Sequence, residues 1–210
     1  MSTQATPAPD GTARLWHPHH AGHDVIATRT FGFWLYMLSD AMLFAGLFAT
    51  YLVLDHAVNA AGGPTPHEIM HVRAAFVQTL LVFSSVAAYG FGMVALKNGR
   101  KVGVLLGLGI AAVLGLVFLG LDVRGLTALA AEGATAERSG FLSAFYTLVV
   151  THGLHMAFGI LWMMVMMVQV VREGFTTNVV YRLLNLKVFW YFQALVWVCV
   201  YCFVYLRGVM

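Results

Sequence analysis

"FLSAFYTLVVTHGLHMAFGILWM", Phe141 to Met163, decides how this chain is read. It is apolar over more than the roughly 20 residues that carry a helix across a bilayer. Yet His152 and His155 stand near its middle. An ionisable side chain in lipid is costly, about 2.5–3.5 kcal/mol at mid-span on insertion scales for Asp, Lys and Arg, so the pair needs a reason.

The rest of the chain has the same character. Of 210 residues, 60% are hydrophobic and 10% charged, and the mean hydropathy is +0.79. A soluble domain is about a quarter charged, and so sparse a charge could not cover a water-facing surface. The reading is an all-α, polytopic membrane protein. Five apolar spans are expected, at about Phe31–Leu54, Ala74–Leu96, Val102–Leu121, Ser143–Val170 and Leu184–Leu206. They form one domain over residues 31–210, and no soluble domain or repeat is evident. Residues 1–30 read as a polar tail, without the apolar core of a signal peptide. Its histidines, His17, His19, His20 and His23, read as part of a solvated segment, with metal binding as the alternative. Cys199 and Cys202 lie one turn apart in the last span and suit neither a disulfide nor a zinc site.

Connections and charge give topology. "DHAVNAAGGPTPHEIMHVR" follows the first span, "KNGRK" forms a tight basic hairpin at Lys97–Lys101, and "DVRGLTALAAEGATAERSG" links the third span to the fourth. Placing that hairpin in the cytoplasm puts Arg14, Arg29, Lys97, Arg100, Lys101, Arg172, Arg182 and Lys187 inside. Arg73, Arg124, Arg138 and Arg207 are then outside. Positive residues concentrate on the cytoplasmic side, so the N-terminus is expected inside and the C-terminus in the periplasm. The net charge of +3 reflects this topology and calls for no nucleic-acid partner. Small residues recur every fourth position in span one (Ala41, Ala45, Ala49) and span three (Gly103, Gly107, Ala111, Gly115). Such stripes let helix backbones approach closely in lipid, within the chain or against a neighbour.

Few polar groups lie inside the spans: Asp40, Gln78, Asp122, His152, His155 and Gln193. Two histidines three apart on one helix point the same way, so they cannot ligate a single haem from opposite faces, and no other span offers a histidine. A non-haem metal would need Asp40 or Asp122 at the same depth. The simplest reading has neutral imidazoles hydrogen-bonding across helix contacts, with Gly153 and Gly159 allowing close approach and Thr151 bonding back to its own helix. "ERSG" at Glu137–Gly140 is an incomplete serine-hydrolase motif at a span end. Transporters usually show broken helices, and the five prolines, Pro7, Pro9, Pro18, Pro64 and Pro66, all lie outside the spans.

"FGFWLYMLSDAMLFAGLFATYLVL" (Phe31–Leu54), "LLVFSSVAAYG" (Leu80–Gly90), "RSGFLSAFYTLVVTHGLHMAFGILWM" (Arg138–Met163) and "WYFQALVWVCVYCFVYLRG" (Trp190–Gly208) together resemble subunit III of the haem–copper respiratory oxidases. The match is closer to the five-span form of bacterial bo-type ubiquinol oxidases than to the seven-span form of cytochrome c oxidases. The resemblance implies a helical bundle with a V-shaped cleft for phospholipid, in the bacterial inner membrane. It implies no haem, copper or catalytic residue in this chain; the haems and copper belong to subunit I, its main contact, and subunits II and IV complete the complex. A scaffold supporting assembly, proton uptake and sustained turnover is expected. On this resemblance His152 and His155 are packing residues, and Asp40, Gln78, Asp122, His152, His155, Trp190 and Trp197 are expected at helix interfaces or the lipid cleft. Gln78 stands where the family usually has Glu, Tyr191 and Gln193 where it has His and Asp, and Asp122 where it has Glu. The neutral replacements suggest a buried ionic network lost as a set. Subunit III of a cytochrome c oxidase is the near alternative; a stand-alone haem-binding membrane cytochrome is the alternative from another class.

Overall fold

The computed structural model describes residues 25–55 and 72–209, with the side chains of 31–55 and 72–208. Five helices follow in order: α1 (Val25–Leu54), α2 (Val72–Lys97), α3 (Lys101–Ala131), α4 (Gly140–Glu173) and α5 (Thr177–Val200). Helix α5 continues as a π-helical segment over Tyr201–Leu206 and ends in a short 3-10 turn. All five are long and apolar enough to cross a bilayer. The histidines of the tail and the Gly/Pro-rich first loop lie outside the described residues.

Local chemistry fixes the turns. Gly99 adopts φ +66, open mainly to glycine, while Gly99 N–H and Arg100 N–H donate back to the carbonyls of Leu96 and Ala95. "KNGRK" thus folds α3 back on α2. Ser139 caps α4 by accepting from Leu142 N–H at 3.1 Å, and Thr176 caps α5 through Val179 N–H at 3.4 Å. These side-chain oxygens satisfy donors that a helix start leaves open.

The helices pack as an antiparallel pair, α2 with α3, joined through α4 to α5; α5 also touches α1 and α2. Helix α1 rests on α4 and α5 through Met37, Phe44 and Tyr51, each seven residues from the last and each buried. The outer surface carries large apolar side chains such as Met42, Phe91, Val102 and Leu154. That is the surface lipid requires.

Two expectations change, and one left open is narrowed. Residues 25–30, expected in the tail, are helical; Val25–Thr30 mixes apolar and polar residues and lacks Gly and Pro, so nothing stops the helix there. Helix α3 runs to Ala131, ten residues past the expected Leu121, so the third connection shrinks to residues 132–139. "GLTALAA" has good helix formers, and Leu126 and Leu129 pack inward. Apolarity alone marks where a span leaves lipid, not where a helix ends. Finally, Ala45 and Ala49 are exposed and Ala41 is half-buried, so the α1 stripe meets little inside this chain.

The α3 stripe does meet partners. A Cβ at Gly107 would lie 2.6 Å from Gly92 Cα, and one at Gly103 would lie 2.6 Å from Ala95 Cβ. Farther along, Gly115 faces the Trp190 ring, and the Ala111 carbonyl accepts a hydrogen bond from Ser85. Two backbones touching at Gly92 and Gly107 leave no room for a side chain. Gly107→Ala is therefore expected to lower stability in detergent by roughly 1–3 kcal/mol. Gly109→Ala, with open space at its Cβ, is expected to be neutral or stabilising by up to about 1 kcal/mol. Thermal unfolding of both variants checks the contrast; equal shifts would contradict the packing.

Candidate functional site

The polar groups inside the bundle form three clusters. The first ties α5 to α2. Tyr89 Oη donates to the Leu183 carbonyl at 2.8 Å, Trp190 Nε1 to Ser85 Oγ at 2.9 Å, and Trp197 Nε1 to Thr79 Oγ1 at 3.0 Å. On α5 the rungs fall seven residues apart; on α2 they run in the opposite direction, as antiparallel helices require. Each hydroxyl passes the bond on. Ser85 donates to the Ala111 carbonyl at 3.1 Å, which brings in α3, and Thr79 donates to Ala75 at 2.8 Å. The Trp190 indole fits because Gly115 and Gly159 lack side chains; a Cβ at either would come within 2.9 Å of the ring.

The second cluster holds the histidine pair. His152 is fully buried, and its Nε2 lies 3.2 Å from the Gln193 carbonyl. A carbonyl only accepts, so this nitrogen carries the proton. The ring sits among Phe44, Phe118 and Trp197. His152 Nδ1 and both side-chain polar atoms of Gln193 are buried with no hydrogen-bond partner among the described residues. His155 Nδ1 lies 2.7 Å from the Thr151 carbonyl, so it too is a donor. Its Nε2 is therefore turned toward Asp40 Oδ2, 3.4 Å away across the α4–α1 contact. The two side chains face each other as a polar pair between α1 and α4. The Thr151 backbone, rather than its hydroxyl, makes the local bond.

The third cluster lies toward the far end of α3. Asp122 is buried, and Gln78 Nε2 donates to its Oδ1 at 3.5 Å. Gly153 opens the α4 surface beside it; a Cβ there would lie 3.4 Å from Asp122 Oδ2. A cavity of about 390 Å³ adjoins this pair and reaches Tyr205 of the π-helical segment.

Of the seven residues singled out from sequence, Gln78, Asp122, His152, Trp190 and Trp197 are buried, and Asp40 and His155 are partly buried against each other. They fall into separate clusters. Gln78 accompanies Asp122 and Gln193 stands beside His152, so of the three neutral replacements Gln78 and Gln193 lie in different clusters. Sequence reasoning passed over Thr79, Ser85 and Tyr89. Their signal was present: each is a hydrogen-bonding side chain on one face of an apolar helix. Among the described residues, no three His, Cys, Asp or Glu side chains converge as a metal site would require.

A scan against family models matches residues 15–209 to "Cytochrome c oxidase subunit III". The chain belongs to the cytochrome c oxidase subunit III family. It is 41% identical over 194 residues to the cytochrome bo(3) ubiquinol oxidase subunit 3 of Pseudomonas aeruginosa, covering 92% of each chain. It is 42% identical over 188 residues to its counterpart in Pseudomonas putida, covering 90% of each. The cytochrome c oxidase subunit 3 of Bacillus subtilis is 36% identical over 180 residues, 85% of this chain and 86% of that one. The family reading from sequence stands: this is a multi-pass membrane protein of five helices and a subunit III of a terminal oxidase.

Two outcomes follow for this subunit III. Ser85→Ala strands the Trp190 N–H and is expected to cost about 1–2 kcal/mol. Trp190→Phe should cost less in the Ser85→Ala background than in the wild type, because the bond is already gone, so a double-mutant cycle by thermal unfolding should be non-additive. Asp40→Asn can still bond His155 Nε2 and is expected to cost less than Asp40→Leu, which leaves that nitrogen unpaired at roughly 1–3 kcal/mol. Equal losses would show that the pair adds nothing beyond packing.

Proposed function

We propose that this chain is the non-catalytic subunit III of a ubiquinol-oxidising terminal oxidase in a bacterial inner membrane. The observation that carries the proposal is end-to-end similarity, 92% of both chains, to a protein named as subunit 3 of a bo(3) ubiquinol oxidase. In this reading subunit I holds the haems and copper and is the main neighbour, with subunits II and IV in the same complex. The complex oxidises quinol and reduces dioxygen to water. This subunit binds phospholipid, including in a V-shaped cleft, and supports assembly and sustained turnover. Its N-terminus is cytoplasmic and its C-terminus periplasmic.

The geometry suits a scaffold. The indoles spend their N–H groups on bonds between helices, and both histidines commit a ring nitrogen to backbone carbonyls. These groups hold helices to one another. A second reading, subunit III of a cytochrome c oxidase, is favoured by the 36% identity to the Bacillus subtilis protein of that name.

The test is the purified complex in mild detergent beside the chain expressed alone. Haem bands in the complex and none in the lone chain are expected, with oxygen uptake driven by ubiquinol. Uptake driven instead by reduced cytochrome c would replace the first reading with the second. A haem band on the lone chain would overturn both and revive a haem-binding membrane cytochrome.

A further inference from the structure

The cavity beside Asp122 has the form of a binding site. It lies between α2, α3, α4 and the π-helical end of α5, with Leu129 and Phe145 among its apolar walls. Three polar side chains from three segments converge on it: Gln78, Asp122 and Tyr205. Arg124 lines it from the exposed side. Val77 and Leu121, also in its wall, are exposed on the outer surface, so the cavity opens sideways toward the membrane. An apolar pocket with a few convergent polar groups is the usual form of a small-ligand site.

Asp122 tells which ligand fits. Its carboxyl offers about four hydrogen-bonding positions. Among the described residues one of them is used, by Gln78 at 3.5 Å, the long limit of a hydrogen bond. A buried group so poorly satisfied favours a further partner. Ionised, the carboxylate needs a donor; protonated, it donates one bond and accepts another. An ammonium suits only the first state, and a phosphate or carboxylate only the second. A hydroxyl donates and accepts, and so suits both without bringing a charge into the span. We propose that this cavity binds the uncharged hydroxyl of a membrane amphiphile, with Asp122 and Gln78 as its polar contacts, Tyr205 beside them and the apolar body against the walls.

Among membrane molecules with such a group, two serve as probes. One is phosphatidylglycerol, whose glycerol hydroxyl would enter while its phosphate met Arg124. The other is a quinol, whose ring hydroxyl would enter against Phe145 and Tyr205. The quinol source rests on the quinol-oxidase reading; the site itself does not.

The test uses the whole complex, depleted of lipid and quinone, inhibited, and titrated separately with dioleoylphosphatidylglycerol and decylubiquinol. Native mass spectrometry counts bound molecules in the wild type, in Asp122→Leu and in Ala128→Phe. Ala128 lines the cavity from an exposed position, so Phe there fills it and leaves Asp122 in place. For one probe, the wild type is expected to hold one molecule more than Ala128→Phe. Asp122→Leu should weaken that molecule by about tenfold or more. Loss in the first titration identifies the lipid as the source, and loss in the second the quinol. Unchanged binding of both probes in both variants overturns the site. Oxygen uptake on quinol, measured on the uninhibited complex, separates the two readings: quinol oxidation without a variant-sensitive molecule defeats the cavity proposal alone. Variant-sensitive phosphatidylglycerol without quinol oxidation defeats the donor assignment alone.

Discussion

Everything in this bundle depends on one constraint: a polar group placed in hydrocarbon must find its partner inside the protein. The ladder from α5 to α2 answers it. Two buried indoles and a buried phenol, Trp190, Trp197 and Tyr89, each reach across to a hydroxyl or carbonyl on the facing helix. Lipid offers no hydrophobic drive to bring helices together, so association rests on packing and on such bonds. The rungs and the glycine contacts share α2, so each device helps fix the geometry the other needs. The Gly92–Gly107 contact brings α3 close to α2, and Ser85 then reaches the Ala111 carbonyl one turn away. Gly115 and Gly159 in turn make the slot that aims Trp190 at Ser85.

The same constraint sorts the ionisable residues. Asp40 and His155 satisfy each other between α1 and α4, and the bond from His155 Nδ1 to Thr151 fixes which nitrogen faces the carboxyl. Asp55 and Arg207 make a second pair, 3.2 Å apart, between the end of α1 and the end of the chain's last helix. Asp122 is met by a neutral amide, Gln78, and adjoins a cavity. His152 is fully buried; one ring nitrogen is bonded and the other has no partner among the described residues.

Much of this was legible in the sequence, and the reasons differ by feature. The spans were legible because apolar runs of bilayer length are rare in chains that fold in water. The hairpin at Gly99 was legible because basic residues around Asn-Gly interrupt such a run. Trp190, Trp197, His152 and Asp122 stood out as groups that lipid penalises. Thr79 and Ser85 did not, because a hydroxyl in a transmembrane helix can bond its own backbone and needs no partner; Thr50 and Thr147 do just that. Pairings such as Trp197 with Thr79, 118 residues apart, depend on helix neighbours, and no periodicity within one helix encodes them.

The two small-residue stripes show where sequence reading has to stop. In α3 the stripe lies on the face that α2 and Trp190 occupy. In α1 the similar stripe at Ala41, Ala45 and Ala49 points away from the core, and a heptad of larger residues, Met37, Phe44 and Tyr51, makes the contact. Spacing alone does not separate the cases, since small residues at four-residue intervals permit close approach without naming the neighbour. What separates them is the rest of the helix surface. Helix α1 buries 17% of its span against 33–44% in the other four. Its narrow inner face is filled by bulky side chains, so its small residues are left for the outside. A helix held so lightly within its own chain suits a protein whose family works as one subunit of a larger membrane complex.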